Sequence, residues 1–102
     1  MRGRSLKPQE WRQLRLHALD ALAERLIAGK RYADAAGAAL AAVKAEPLRE
    51  TAHAALIRVY LAEGNRAEAL AAFERYRALL RAELGLEPSP LIQALVEDIQ
   101  KL

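Results

Sequence analysis

The chain is 102 residues long, 53% hydrophobic and 28% charged, with a net charge of +3. That length suits one domain with a single modest core, and the balance excludes an intrinsically disordered chain. It holds no cysteine, which excludes disulfides and thiolate metal sites.

No run approaches the roughly 18 apolar residues that cross a bilayer. The most apolar stretch, residues 52–62, is interrupted by His53 and Arg58. The basic N-terminus has no apolar segment behind it and does not read as a secretory signal. A cytoplasmic protein without a membrane partner is expected. The charge is uneven: residues 1–15 hold Arg2, Arg4, Lys7, Arg12 and Arg15 against Glu10, which leaves the remainder at −1. A nucleic-acid domain carries its basic residues as a face of the fold, not as one tail, so direct nucleic-acid binding is not expected.

Residues 1–8 lack periodicity and read as a flexible lead-in to a domain over 9–102. Pro8 suits the first turn of a helix. The spacing of Trp11, Leu14, Ala18, Leu22 and Leu26 predicts a helix over 9–28 with that stripe as its packing face. Gly29 then stands where a left-handed cap is wanted. A second helix is predicted over 32–46, with Ala35, Ala38, Ala39 and Ala42 on one side. Gly37 in its middle costs about 1 kcal/mol relative to Ala, and the small residues around it suggest that a neighbouring helix crosses there.

Pro47 ends that helix, since a residue preceding proline avoids the α region. A third helix is predicted over 49–63 and stops at Gly64-Asn65. A fourth covers 66–84, with Leu70, Phe73, Tyr76, Leu80 and Leu84 on one stripe, capped by Gly85. Glu87-Pro88-Ser89-Pro90 forms a stiff elbow in which Ser89 and Pro90 start a helix. The last helix, over 90–100, is expected to turn Leu91, Leu95 (with Ala94) and Ile99 to the body. No segment alternates like a strand.

Ala35 and Ala69 lie 34 residues apart within similar surroundings: Tyr32-Ala-Asp-Ala35 echoes Gly64-Asn-Arg-Ala-Glu-Ala69. A period near 34 marks a tetratricopeptide-like array of helical hairpins. The expected fold is therefore all-α, a five-helix array of antiparallel hairpins. Leu22, Leu26, Ala35, Ala39 and Ala42 would pack the first hairpin. Leu56, Ile57, Tyr60, Gly64, Ala69 and Phe73 would pack the second. Such stacks leave a groove lined by the first helix of each hairpin, here with His17, Asp20 and Glu24, then Thr51, Ala54 and Arg58. These polar groups are candidates for holding a protein partner, set against an ordinary solvated face.

Four blocks carry a resemblance. They are Arg12-Gln-Leu-Arg-Leu-His-Ala-Leu-Asp-Ala-Leu-Ala-Glu-Arg-Leu26, Glu46-Pro-Leu-Arg-Glu50-Thr-Ala-His53, Gly64-Asn-Arg-Ala-Glu-Ala-Leu70 and Glu83-Leu-Gly-Leu-Glu-Pro-Ser-Pro90. In this order they resemble the bacterial transcriptional activator domain of Streptomyces antibiotic regulatory proteins (SARP) and their AfsR-like relatives. The resemblance covers residues 10–100. It implies a tetratricopeptide-like fold that follows an OmpR-type winged-helix DNA-binding domain. It also implies self-association as a homodimer, contacts with RNA polymerase subunits, or control of the adjoining winged helix. No winged helix is present within these residues, so DNA binding is not carried over. A stand-alone adaptor that binds a protein or peptide remains the alternative.

No cofactor is expected. His17 and His53, the two histidines, fall on different helices, whereas a metal site needs three or four ligands. His17, Asp20 and Glu24 share a helix face, yet no nucleophile or phosphate loop converges on them, so an enzyme is not expected. Trp11 either packs the end of the domain or meets a neighbouring domain through an exposed apolar patch. Arg77 and Arg81 are like charges one turn apart, with Glu74 as partial relief. They form a mixed-charge solvated face, or else meet an acidic partner.

Overall fold

The computed structural model describes residues 5–100; Arg2, Arg4 and the start of the lead-in lie outside the described residues, as do residues 101–102. The described residues form five helices: α1 (Pro8–Ala28), α2 (Tyr32–Ala45), α3 (Glu50–Ala62), α4 (Arg66–Leu84) and α5 (Pro90–Gln100). Pro8 takes the first helical position of α1, and the Lys7 N–H just before it donates to Glu10 Oε1 at 2.8 Å. The elements α1–α2 and α3–α4 are hairpins closed by loops too short for anything but antiparallel packing. The molecule measures 58 × 37 × 19 Å, and a thickness of 19 Å admits two helix layers and no more.

Helix α3 is the axis of the array. It packs against α1, α2, α4 and α5, and Ala52, His53, Ala55, Leu56, Ile57 and Val59 on it are all buried. Small residues allow this closeness: Ala35, Ala39, Ala42 and Ala69 are fully buried and let helix axes approach. Larger side chains fill the second hairpin, where Phe73, Tyr76 and Leu80 from α4 meet Ile92 and Val96 from α5.

The period of 34 also shows in the loops. Arg31 N–H bonds to Leu26 O and Lys30 N–H to Ile27 O, while 34 residues on Asn65 N–H bonds to Tyr60 O and Gly64 N–H to Leu61 O. Both are the paired C-terminal hydrogen bonds of a Schellman ending, which requires one left-handed residue. In the second hairpin that residue is Gly64 (φ 78°), but in the first it is Lys30 (φ 61°). Gly29 has φ −85°, so the expected left-handed glycine stands one position too early.

Three further expectations about packing are corrected. The stripe of Trp11, Leu14, Ala18 and Leu22 faces solvent; α1 packs instead through Leu16, Leu19 and Ala23, one step around the helix. Gly37 is exposed, and a Cβ added to it would meet nothing within 4 Å, so no helix crosses it. On α5 the inward residues are Ile92 and Val96, flanked by Leu95 and Ile99, while Leu91 is 84% exposed and Ala94 is also outside. Leu84, the last residue of the α4 stripe, likewise lies in solvent beyond the end of the packed region.

Gly37 and Gly64 therefore respond to alanine in opposite directions. Gly37→Ala is expected to raise stability by about 1 kcal/mol, because an exposed mid-helix glycine only adds chain entropy to the unfolded state. Gly64→Ala is expected to lower it by about 1 kcal/mol through left-handed strain. Urea denaturation of the two variants checks both, and shifts of the same sign would contradict the contrast between the two positions.

Candidate protein-interaction surfaces

The polar residues expected on the groove side are used first to join the two hairpins. Asp20 on α1 receives both arms of Arg49, from Nη1 at 3.2 Å and Nη2 at 2.8 Å, in a largely buried bidentate pair. Glu24 pairs with Arg58, 34 residues further along and at the same place in the next repeat. Asp20 and Glu24 thus act as struts between α1 and α3, and Arg58 is held by one of them. His17 lies exposed on α1, and Thr51 is exposed at the start of α3.

Beyond these struts, Thr51, Ala54 and Arg58 form one wall of a groove whose other wall is Leu91 and Leu95 of α5. Its volume is about 330 Å³. The groove expected from the sequence lies between α1 and α3, not between α3 and α5, and the spacing of Leu91 with Leu95 and Ile99 suggests an inward side chain.

The last helix is fixed by a carboxylate that no sequence pattern singles out. Glu50, the first residue of α3, reaches across to the elbow. Its Oε1 accepts from Ser89 N–H at 3.0 Å and from the Tyr76 hydroxyl at 3.0 Å, and its Oε2 accepts from the Ser89 hydroxyl. The Ser89 hydroxyl is therefore engaged by Glu50, although Ser89 does open α5, with its carbonyl accepting from Gln93 N–H. Beside this cluster the His53 ring stacks on Tyr76 with centroids 4.3 Å apart, and His53 Nε2–H donates to Pro47 O at 2.7 Å.

These contacts set the titration behaviour. Burial pushes the Glu50 carboxyl up, but the Ser89 and Tyr76 hydrogen bonds and the nearby His53 outweigh it and leave the pKa below the usual 4.5. Burial holds His53 below 6.5 against the raising effects of Pro47 O and Glu50. Burial and the Glu50 carboxylate both push the Tyr76 phenol up.

On the far side of the elbow, Glu87 bridges the two arginines. Arg77 Nε lies 3.3 Å from Glu87 Oε1, and Arg81 Nη2 lies 2.5 Å from Glu87 Oε2. Glu74 adds a longer pair to Arg77 at 3.5 Å. The two like charges are offset mainly by Glu87, which the spacing along α4 does not reveal. The guanidinium groups, chiefly that of Arg81, hold the Glu87 carboxyl below its ordinary range.

Trp11 is 60% exposed at the N-terminal end of α1, with Leu14 about one turn and Leu22 about three turns further along the same face. The α1 end of the array thus carries an exposed apolar stripe set among Arg12, Arg15 and Arg25, whereas the other end is closed by α5 with Gln93, Ala94, Glu97 and Asp98 outward and Leu91 exposed at its start.

The profile of the bacterial transcriptional activator domain matches residues 4–100, nearly the whole chain. The chain belongs to that family. A curated relative, the Regulatory protein AfsR of Streptomyces coelicolor, is 38% identical over 68 residues. That match takes in 67% of this chain but 7% of AfsR, so the chain spans a small part of a much longer regulator. No solved structure matches the activator domain significantly. No helix among the described residues of the activator domain is long and apolar enough to cross a membrane.

The cluster around Glu50 makes the activator domain acid-sensitive in two steps. A folded-state His53 pKa below 6.5 means that the unfolded chain binds the proton first, so stability falls as pH drops below about 6.5. A depressed Glu50 pKa supplies stability that is complete above about 4.5 and is lost as pH falls through the folded value. Urea denaturation from about pH 2 to about pH 8 should show both steps, and His53→Phe should remove the upper one. Glu50→Ala should cost about 2 kcal/mol at pH 7 by leaving Tyr76 and Ser89 without their acceptor. Retention of the upper step in His53→Phe would assign it to another group.

Proposed function

We propose that this domain is a non-enzymatic regulatory module of a SARP/AfsR-like transcription activator. It works in the cytoplasm through protein contacts: self-association, RNA polymerase subunits, or an adjoining winged-helix domain. The observation that carries this reading is the inequality of the two ends of the array. Helical repeats close an end with a largely polar outer face, and α5 turns Gln93, Glu97 and Asp98 outward, with Leu91 exposed at the edge of its groove with α3. The α1 end instead presents Trp11, Leu14 and Leu22 to solvent. Exposed apolar residues gathered on one helix face mark a place where another protein sits.

The second reading, an adaptor that binds a peptide, is favoured by the groove between α3 and α5, where the exposed Leu91 stands beside Ala54 and Leu95. Its apolar walls and the Arg58 guanidinium would take one large apolar side chain of an extended segment.

The two readings separate in the source cells. Transcripts are profiled by RNA sequencing after deletion of residues 9–100 from the native gene, and after Trp11→Glu with Leu22→Glu or Leu91→Glu. For a regulatory module, a defined set of transcripts falls on deletion and falls equally in the Trp11/Leu22 variant, whose helical circular dichroism is unchanged. An unaltered transcript profile after deletion refutes the regulatory reading. Loss of a co-purifying partner in Leu91→Glu alone, with transcripts unchanged, establishes the adaptor.

A further inference from the structure

The internal repeat tells what the exposed face of α1 is built to hold. Moving 34 residues along the chain carries Ala18 onto Ala52, Ala21 onto Ala55, Leu22 onto Leu56 and Arg15 onto Arg49. The same spacing superimposes the loop hydrogen bonds of the two hairpins, so the alanine and leucine positions correspond; Arg15 is helical, whereas Arg49 is the extended residue just before α3. Their surroundings differ completely. Ala52 and Ala55 are fully buried and Leu56 is 3% exposed, while Ala18 and Ala21 are exposed and Leu22 is 43% exposed.

The first hairpin takes part in burying the second set, together with α4 and α5. Ala52 packs with Leu16 and Ala42, and Ala55 and Leu56 share a cluster with Ala23, Ala38 and Ala39. Arg49 completes the seam by its bidentate pair with Asp20. In the first repeat the matching cation, Arg15, is exposed, and no carboxylate among the described residues pairs with it. The face of α1 is thus a repeat-to-repeat seam with one side present. Its apolar positions are spaced as on α3, where helices with small and aliphatic residues dock, and Arg15 adds an exposed cation one turn before Ala18 on the same face.

We infer that this face docks an amphipathic helix of a partner protein, with Ala/Leu-type residues on its contact side and an Asp or Glu placed to pair with Arg15. The proposal rests on the regulatory reading above and adds the chemistry of the partner. A second copy of this chain fits less well. The surfaces of α1 and α2 that perform this task for α3 are already covered by α3, and α5 turns Gln93, Glu97 and Asp98 outward. Two α1 faces set against each other would juxtapose Arg15, Arg25 and Lys7 of both copies, with Glu10 as the opposing charge. Charge complementarity selects an acidic partner.

Trp11 is the sole tryptophan of the chain and lies on this face, so its emission reports occupancy directly. The probe is a synthetic helical peptide without tryptophan, with Ala and Leu on one face and Glu on both flanks, titrated into the full chain. Analogues with Gln or Lys in place of Glu are the comparison. The Glu peptide is expected to shift the emission to the blue and to bind about tenfold more tightly than the Gln form, with the Lys form weaker still. Arg15→Gln should bring the Glu and Gln peptides to equal affinity, and Leu22→Ser should weaken all three alike. Circular dichroism of each variant verifies its fold.

Equal affinity for the three peptides, or a preference that survives Arg15→Gln, overturns the acidic-helix assignment. A blue shift that grows with protein concentration and no peptide assigns the face to a second copy and also overturns it. Either result leaves the regulatory reading standing if the transcripts still fall on deletion. Unaltered transcripts alongside discriminating peptides would instead refute that reading and keep the surface chemistry.

Discussion

A helical hairpin of small residues cannot bury its apolar side alone, and the structure depends on the seam where α3 lies across the first hairpin. That seam joins a dry centre of alanines with Leu16, Leu56 and Ile57 to a polar margin of Asp20–Arg49 and Glu24–Arg58. The apolar part supplies the driving force, at roughly 25 cal/mol per Å² removed from water. The bidentate Asp20–Arg49 pair, largely shielded, sets the register with which one hairpin meets the next. Slipping α3 by one turn would strand a charged group in that margin, which is a heavier penalty than the pair's own net contribution. Both faces of α3 being occupied, the rest of the chain has one place to go: α4 folds back over it and α5 closes the remaining side.

Much of this is legible in the sequence, and the exceptions have physical causes. Helix ends are readable because Pro8, Pro47, Pro90, Gly64 and Gly85 act locally, through missing N–H groups and left-handed backbone. The family is readable because four blocks in fixed order are hard to assemble by chance. The inward faces of α1 and α5 differ from expectation for a common reason. Both helices carry apolar residues on two faces, and periodicity alone does not say which face meets the body. Trp11, Leu14 and Leu22 form as good a stripe as Leu16, Leu19 and Ala23; the positions of α2 and α3 decide between them. Gly37 differs because small neighbours mark close approach on one side of α2 only, and Gly37 lies on the other.

The polar sites show the same division. Of Asp20, Glu24, Thr51 and Arg58, offered by the sequence as partner-binding groups, three have ion-pair partners between the hairpins. Glu50 is invisible in the sequence because its partners, Ser89 and Tyr76, are 39 and 26 residues away and belong to other elements. Glu87, likewise, reaches Arg77 and Arg81 only once the elbow has folded back. Long-range polar contacts of this kind leave no spacing signature. They are specified by the fold, which the apolar pattern must establish first.

The Glu50–Ser89 link has a consequence for how the molecule assembles. Contacts within each hairpin join residues close in the chain, and the loops between paired helices are short. Such contacts form quickly, because little chain entropy is lost in closing them. Joining Ser89 to Glu50 closes a loop of 39 residues and needs α3 and α4 already in place, since Tyr76 shares the same carboxylate. Closing that loop therefore costs more chain entropy than closing either hairpin turn, and the carboxylate that fastens α5 has its geometry only where α3 and α4 are packed together.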